Sequence, residues 1–339
     1  MSELIFCVFH KLVYIYAMFQ NALLKTIQEH LPARTSLNEA IAETLDISYD
    51  AAHRRTSLKS KLSIDETLIL AKQYDISIDK LFGTTHQDYI AVEKTTEIKS
   101  EAQLESYYLG SIQSLRPLLK QPESHILYSA KDIPLFYTLG DDILSRFKSY
   151  VWLKLLDPNF DTRSFEGFSP SVGALTAAKE LSSLYKHLNI TEIWDITTVN
   201  STLKQIHFYQ SSGHLSLDSA LSLCHALTTL IESIEEKVNT NNGTYKLYYN
   251  ELLLMNNNVL VSTPQQQSLY VPFTLLSYYL TSDQSTCAQA ESYLQQQLHH
   301  SKLLNASGEK EKRFFFNKIF AKIDALKQLI EATELLDFE

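Results

Sequence analysis

Five basic side chains, His53, Arg54, Arg55, Lys59 and Lys61, fall within nine consecutive positions that contain no acid. Cations massed on one face can contact the phosphate oxygens of a nucleic acid, which sets register without reading sequence. Ser48, Tyr49 and Asp50 stand just ahead of them. With His53 and Arg54 they supply hydroxyl, phenol, carboxylate, imidazole and guanidinium groups near one helix start, where side chains reach base edges in a major groove. Arg34, Thr35 and Ser36 precede an earlier helix start, where backbone N–H groups and the helix dipole favour an anion. Ser36 equally suits the cap of that helix. The plain alternative for Arg55, Lys59 and Lys61 is a solvated basic face.

Other chemical signals are weaker. Ser129 and Lys131, two residues apart, have the types of a nucleophile and its base, but Ile133-Pro134 after them favours a bend capped by Asp132. Cys7, Cys224 and Cys287 are odd in number and far apart, which argues against disulfides and structural zinc and fits a reducing, cytoplasmic setting. His299-His300 follows a run of glutamines and reads as helix surface rather than a metal site. Tyr245, Tyr248, Tyr249, Tyr270, Tyr278 and Tyr279 have the character of pocket walls or of core. No paired carboxylates or triad stand out, so no enzyme activity and no cofactor are expected.

The basic cluster needs helices to hold it. Leu37, Ala40, Ile41 and Leu45 recur at spacings of three and four, the stripe of an amphipathic helix. Ser36 and Glu39, then Ser63 and Glu66, have the spacing of capping boxes. Between the first two helices, Asp46-Ile47-Ser48 makes a turn without glycine. Ser48 suits the cap of the second helix, about 49–58, in which Ala51 and Ala52 are small enough for a close crossing. Ile76, Ile78, Leu81 and Phe82 close the module.

Residues 18–83 resemble the five-helix domain of the phage-repressor-like (Cro/CI, or XRE) helix-turn-helix family, with helices near 18–31, 36–45, 48–58, 65–74 and 78–83. The string from Ile47 to Ala52, with Arg54-Arg55 and then Leu62 to Glu66, is similar to a group of long bacterial regulators in which this domain precedes a large helical one. Tyr128 to Phe136, Phe147-Lys148, Trp152, Glu192-Ile193-Trp194, Asn250-Glu251, Gly308-Glu309-Lys310, Arg313, Phe315 and Phe316 look like landmarks of the same group. The resemblance implies a layout and double-stranded DNA as partner. His53 stands where that group favours Tyr, which bears on base preference.

Net charge is −9 overall, with 9 Lys+Arg against 10 Asp+Glu in residues 1–85 and 21 against 29 beyond. Local field along one face, not the total, decides phosphate contact. The 45% hydrophobic content supplies a sizeable core, and only 8 glycines argue against glycine-rich phosphate loops and doubly wound nucleotide-binding sheets. The expected fold is therefore mainly α: a helix-turn-helix domain at 18–83, a linker at 84–100, and a helical domain at 101–339 with a small antiparallel β patch at about 245–273. Helices are expected near 101–119, 141–155, 171–188, 197–211, 216–238, 283–303 and 309–335. The apolar segment 1–17 is too short to span a membrane, and reads as an extension ahead of the native start or as a docking element. The expected function is a homodimeric transcription regulator whose C-terminal domain dimerises and senses a small-molecule or peptide effector. The alternative is a protein-interaction scaffold of antitoxin-like or defence-associated type.

Overall fold

The computed structural model describes residues 19–32, 35–82, 90–160, 164–240, 243–252 and 256–335. The expectations placed on Arg34, on 1–17 and on the first part of the linker fall outside these residues. The chain divides into two compact units, Met1–Ala91 and Val92–Glu339.

The N-terminal unit comprises α1 (19–30), α2 (Leu37–Leu45), α3 (Tyr49–Thr56), α4 (Ile64–Gln73) and α5 (Ile78–Phe82). Its core is Leu23, Leu24, Ile27, Ile41, Ala52 and Leu70, with Leu37, Leu45, Ile47 and Ile76 packed around it. Ala52 is fully buried, as its small side chain in a helix crossing requires. Two helices end on the same device. Asp46 and Asp75 take left-handed backbone angles, φ 52° and 53°, and the residue after each, Ile47 or Ile76, returns its N–H to Ala42 or Ala71. This closes the last turn and drops an isoleucine into the core. Aspartate tolerates that conformation better than most residues, which is how the turn dispenses with glycine.

The C-terminal body is built on an eight-stranded mixed sheet in the order β1-β7-β6-β5-β2-β3-β4-β8. The strands are β1 (Glu93–Lys94), β2 (His125–Ala130), β3 (Ile190–Trp194), β4 (Tyr245–Tyr249), β5 (Val259–Ser262), β6 (Gln267–Pro272), β7 (Tyr278–Thr281) and β8 (Lys302–Leu303). β2, β3 and β4 run parallel. Parallel neighbours need crossovers, and these are α7 (Ile143–Leu156) with α8 (Val172–Lys186), then α9 (Asn200–Ser211) with α10 (Leu217–Thr240). β5, β6, β7 and β1 extend the sheet as an antiparallel meander. α6 (Glu101–Leu115), α7 to α10 and α12 (Glu309–Leu335) share one large core with one sheet face, through Ile126, Tyr128, Ile190, Trp194, Tyr245 and Leu247. α11 (Gln284–His299) covers the other face, through Cys287 and Leu294 against Leu127, Ile193, Leu260 and Leu269.

This corrects the expected fold class. The body is not a helical domain with a small antiparallel patch, because a mixed sheet of eight strands runs through it. β4, expected within that patch, pairs in parallel with β3. The low glycine count misled, since this chain leaves its parallel strands on Lys131-Asp132, Asp195 and Asn250 rather than on glycine loops. Val92 to Ser100, in the segment expected to link the domains, lies in the second unit, where β1 pairs with β7 and Ile98 is buried.

Candidate nucleic-acid interface

α3 begins at Ser48, whose side chain accepts a hydrogen bond from Ala51 N at 3.3 Å, the expected N-cap. With Ala52 turned into the core, the opposite face carries Tyr49, Asp50, His53 and Arg54, all exposed, and Tyr49 is 53% accessible. Lys59 and Lys61, on the segment after α3, are exposed as well. Ser36 sits at the N-cap of α2 in extended backbone, but its side chain makes no capping hydrogen bond, so the first of the two expected capping boxes is not formed. The second is: Ser63 accepts from Glu66 N at 3.1 Å, and Glu66 accepts from Ser63 N at 2.9 Å. Thr35 donates its backbone N–H to Pro32 O.

Arg55 is placed differently from its neighbours. Its guanidinium donates to Glu66 Oε1 at 2.5 Å and to Ala51 O at 3.0 Å, with both side chains of the ion pair about four-fifths buried. The Arg55 hydrogen bond, with help from Ser63, holds the Glu66 carboxyl below its ordinary value although burial acts the other way. Gln20 on α1 secures the same corner by donating to Arg55 O and Ser60 O and accepting from Leu62 N. Arg55 thus ties α3 to α4, eleven residues apart and out of reach of any helical spacing.

Asn38 escaped the sequence reading. From the first turn of α2 its amide donates to Tyr49 Oη at 3.1 Å and lies 3.5 Å from His53 Nδ1, while Thr56 donates to its Oδ1. One side chain therefore orients two of the exposed groups of α3. A polar residue at the edge of the apolar stripe, three positions before the buried Ile41, was the available signal.

The body collects charge in its interior. Glu192 on β3 is fully buried and accepts four hydrogen bonds: Tyr137 and Tyr185 on Oε1 at 2.9 and 2.7 Å, Trp194 Nε1 and Tyr245 on Oε2 at 2.9 and 3.0 Å. Burial pushes its carboxyl up, against the pull of Lys237 and of the phenols, and Lys237 Nζ lies 3.9 Å from the centre of the Tyr245 ring. Lys148, 2% accessible, donates to Thr202 and Gln205 and stands 3.9 Å from Asp132; burial lowers its pKa. Ser129 and Lys131 are not a pair. Ser129 Oγ is buried with no hydrogen-bond partner, and Lys131 reaches Asp195 at 3.3 Å and Thr197 at 3.2 Å. Lys131, Asp132 and Thr197 border an open depression at the carboxyl ends of β2 and β3. Such ends are where α/β sheets place ligands, but here the charged groups chiefly satisfy one another.

Among the described residues no group of three His, Cys, Asp or Glu side chains could hold a metal ion, and no helix is long and apolar enough to cross a membrane. Comparison with protein families, with curated proteins and with solved structures finds no match to this chain.

Proposed function

We propose that this chain is a sequence-specific DNA-binding regulator of transcription, acting as a homodimer, with α3 as its recognition helix. The observation that carries the reading is the division of α3 into two faces. Ala52 and the Arg55–Glu66 tie fix the helix to its unit, while Tyr49, Asp50, His53 and Arg54 stand exposed, Tyr49 and His53 among them oriented by Asn38. Base contact belongs to Tyr49, Asp50, His53 and Arg54, and phosphate contact to Lys59, Lys61 and the uncapped start of α2 at Thr35 and Ser36. Dimerisation supplies the two-fold pair that a lone module of this size needs for useful specificity.

The test uses the full chain and a duplex selected from a random library, with binding followed by fluorescence anisotropy at two salt concentrations. Arg54→Ala is expected to cost about 1–3 kcal/mol on the selected duplex and to relax sequence preference. Lys59→Ala is expected to weaken all duplexes alike and to reduce the salt slope by about 1. Unchanged binding in both variants would remove α3 from the interface. A protein-interaction role is the second reading, favoured by Ile64, Leu68 and Ile69, which leave an apolar stripe exposed along α4.

A further inference from the structure

The antiparallel half of the sheet is covered without being filled. Tyr128, Val259, Tyr270 and Leu280 form an apolar row in register across β2, β5, β6 and β7, and Ile126 and Val261 form the next row. α6 buries Leu104, Tyr108, Ile112 and Leu115 in the main core. Toward these rows it presents Gln103, Ser106, Tyr107, Gly110, Ser111 and Ser114. A helix that covers an apolar sheet normally fills the space with large side chains, because interiors are close-packed. Here a cavity of about 480 Å³ remains between helix and sheet. That lies within the roughly 300–1,000 Å³ of small-molecule sites, which are mostly apolar with a few placed polar groups.

We infer that this cavity binds an uncharged, largely apolar small molecule that carries a hydroxyl, an alcohol or a phenol. The sheet rows, with Leu135 and Phe136, supply the apolar contact. The two charges nearest the site argue against an ionic ligand. Lys94, the one charged residue among the described lining residues, pairs in register with Tyr279 and sets its ammonium 5.8 Å from the centre of the Phe273 ring, on the opposite sheet face. Glu93 pairs with Leu280 at the end of the cavity row and is exposed; burial, and then this carboxylate, raise the Tyr270 phenol. An anion would meet Glu93 and no ammonium. A cation carried inside would leave its counter-charge in water at the sheet edge, and an unpaired charge is costly to bury.

The hydroxyl follows from α6. Ser106, Ser111 and Ser114 donate their own protons to the carbonyls of Ala102, Tyr107 and Gly110, at 2.9, 2.9 and 3.1 Å. Each serine oxygen is left with acceptor lone pairs alone, so the ligand must bring the donor. A single O–H does so with little other polar surface to strip of water. Ser111, the most enclosed of the three, is its acceptor. Burial keeps the phenols of Tyr107, Tyr128, Tyr270 and Tyr278 protonated, so the rest of the polar lining adds no charge.

Gly110 gives a direct test. A Cβ built at this position meets nothing within 4 Å, and the residue lines the cavity in mid-helix. Gly110→Phe should block the site while removing a helix-interior glycine, a change that favours α6. The full chain, without DNA, is titrated calorimetrically into biphenyl-4-ol and into decan-1-ol. Each is compared with the methyl ether, the carboxylate and the methylene-linked or alkyl ammonium of the same frame. At least one hydroxyl compound is expected to bind, and which one does distinguishes an aryl from an alkyl ligand. Its methyl ether, which has no proton to donate, should bind about fivefold more weakly. Its carboxylate and ammonium counterparts should bind more weakly by about tenfold or more. Gly110→Phe should weaken the hydroxyl compound by a similar factor with an undiminished melting temperature. Ser111→Ala should weaken the hydroxyl compound and leave the ether unchanged, which keeps the test decisive if Gly110→Phe folds poorly. Failure of both hydroxyl compounds, equal binding of a charged counterpart, full affinity in the folded Gly110→Phe protein, or an equal loss of alcohol and ether in Ser111→Ala would overturn the inference. None of these readouts involves DNA, so they stand or fall apart from the recognition-helix proposal.

Discussion

Glu66 in the N-terminal unit and Glu192 in the body both accept hydrogen bonds from side chains on other elements, yet the two units hold them in opposite ways. Glu66 faces a guanidinium at the edge of the small core, and its carboxyl is drawn below the ordinary value. Glu192 lies in the middle of a strand among three phenols and an indole, and burial raises it. The small unit holds this ion pair at its edge, about one-fifth exposed, and leaves Asp50 and Arg54 on the surface of α3. The body takes charge inside and neutralises it with a polar network, at the cost of desolvation and with a gain in fixed geometry.

The largest effect expected from this contrast is that of Glu192→Ala. Removing the carboxylate leaves four buried donors without an acceptor, and the body should lose about 3–5 kcal/mol. Both tryptophans, Trp152 and Trp194, lie in the body, so denaturant unfolding followed by tryptophan fluorescence reads this unit alone. Glu192→Gln, which keeps one acceptor oxygen, should lose less. If Glu192→Ala unfolds at the wild-type midpoint, the network is not what holds β3 against its helices. Glu66→Ala comes next, at about 1–2 kcal/mol, because it removes the capping box of α4 and the Arg55 tie together. Hydrogen exchange of peptides from 37–73 in the full chain should show faster opening there, with the body unaffected.

The smallest effect is also the most discriminating. A carboxyl lowered on folding contributes stability above its unfolded value and loses it as pH falls through its folded value. The Arg55–Glu66 corner should therefore open as the solution is acidified through the lowered range. A carboxyl raised on folding contributes below its unfolded value and loses that contribution as pH rises through its folded one. The Glu192 part of the body's stability should therefore decline as pH climbs above the ordinary glutamate range. Hydrogen exchange over an acid-to-neutral series reads both units at once, and parallel slopes attributable to these two residues would break the contrast.

The same contrast explains what could be read in the sequence. The stripes of α2 and α10 follow a 3.6 period, and the body helices fall within a few residues of where that period places them, as in α10 with Ala220, Leu223, Leu227, Ile231 and Ile234 buried. β2 and β3 were not legible. Each has five or six residues, and Ser129, Thr191 and Glu192 interrupt the apolar run with side chains that are in fact buried. A glutamate in a short segment reads as surface unless its partners are known, and these come from residues 137, 185, 194 and 245. The β4 segment was recognised as extended, but pairing with β3 rather than β5 is a non-local choice that local pattern does not encode. In the candidate interface the exposed positions of α3 were legible from periodicity. The engagement of Arg55 by Glu66 and the role of Asn38 were not, since each depends on how neighbouring helices cross.

β1 carries a consequence for biosynthesis. Glu93 finds its partner in Leu280, so the first strand of the body has nothing to pair with until most of the chain has been made. Every helix of the N-terminal unit closes on partners within its own short span, and contacts of low sequence separation form fastest. On a ribosome the small unit can be complete while the sheet is still missing its meander. For that interval the two residues of β1, held at last by a single edge pairing, are the point at which a finished module waits on an unfinished one.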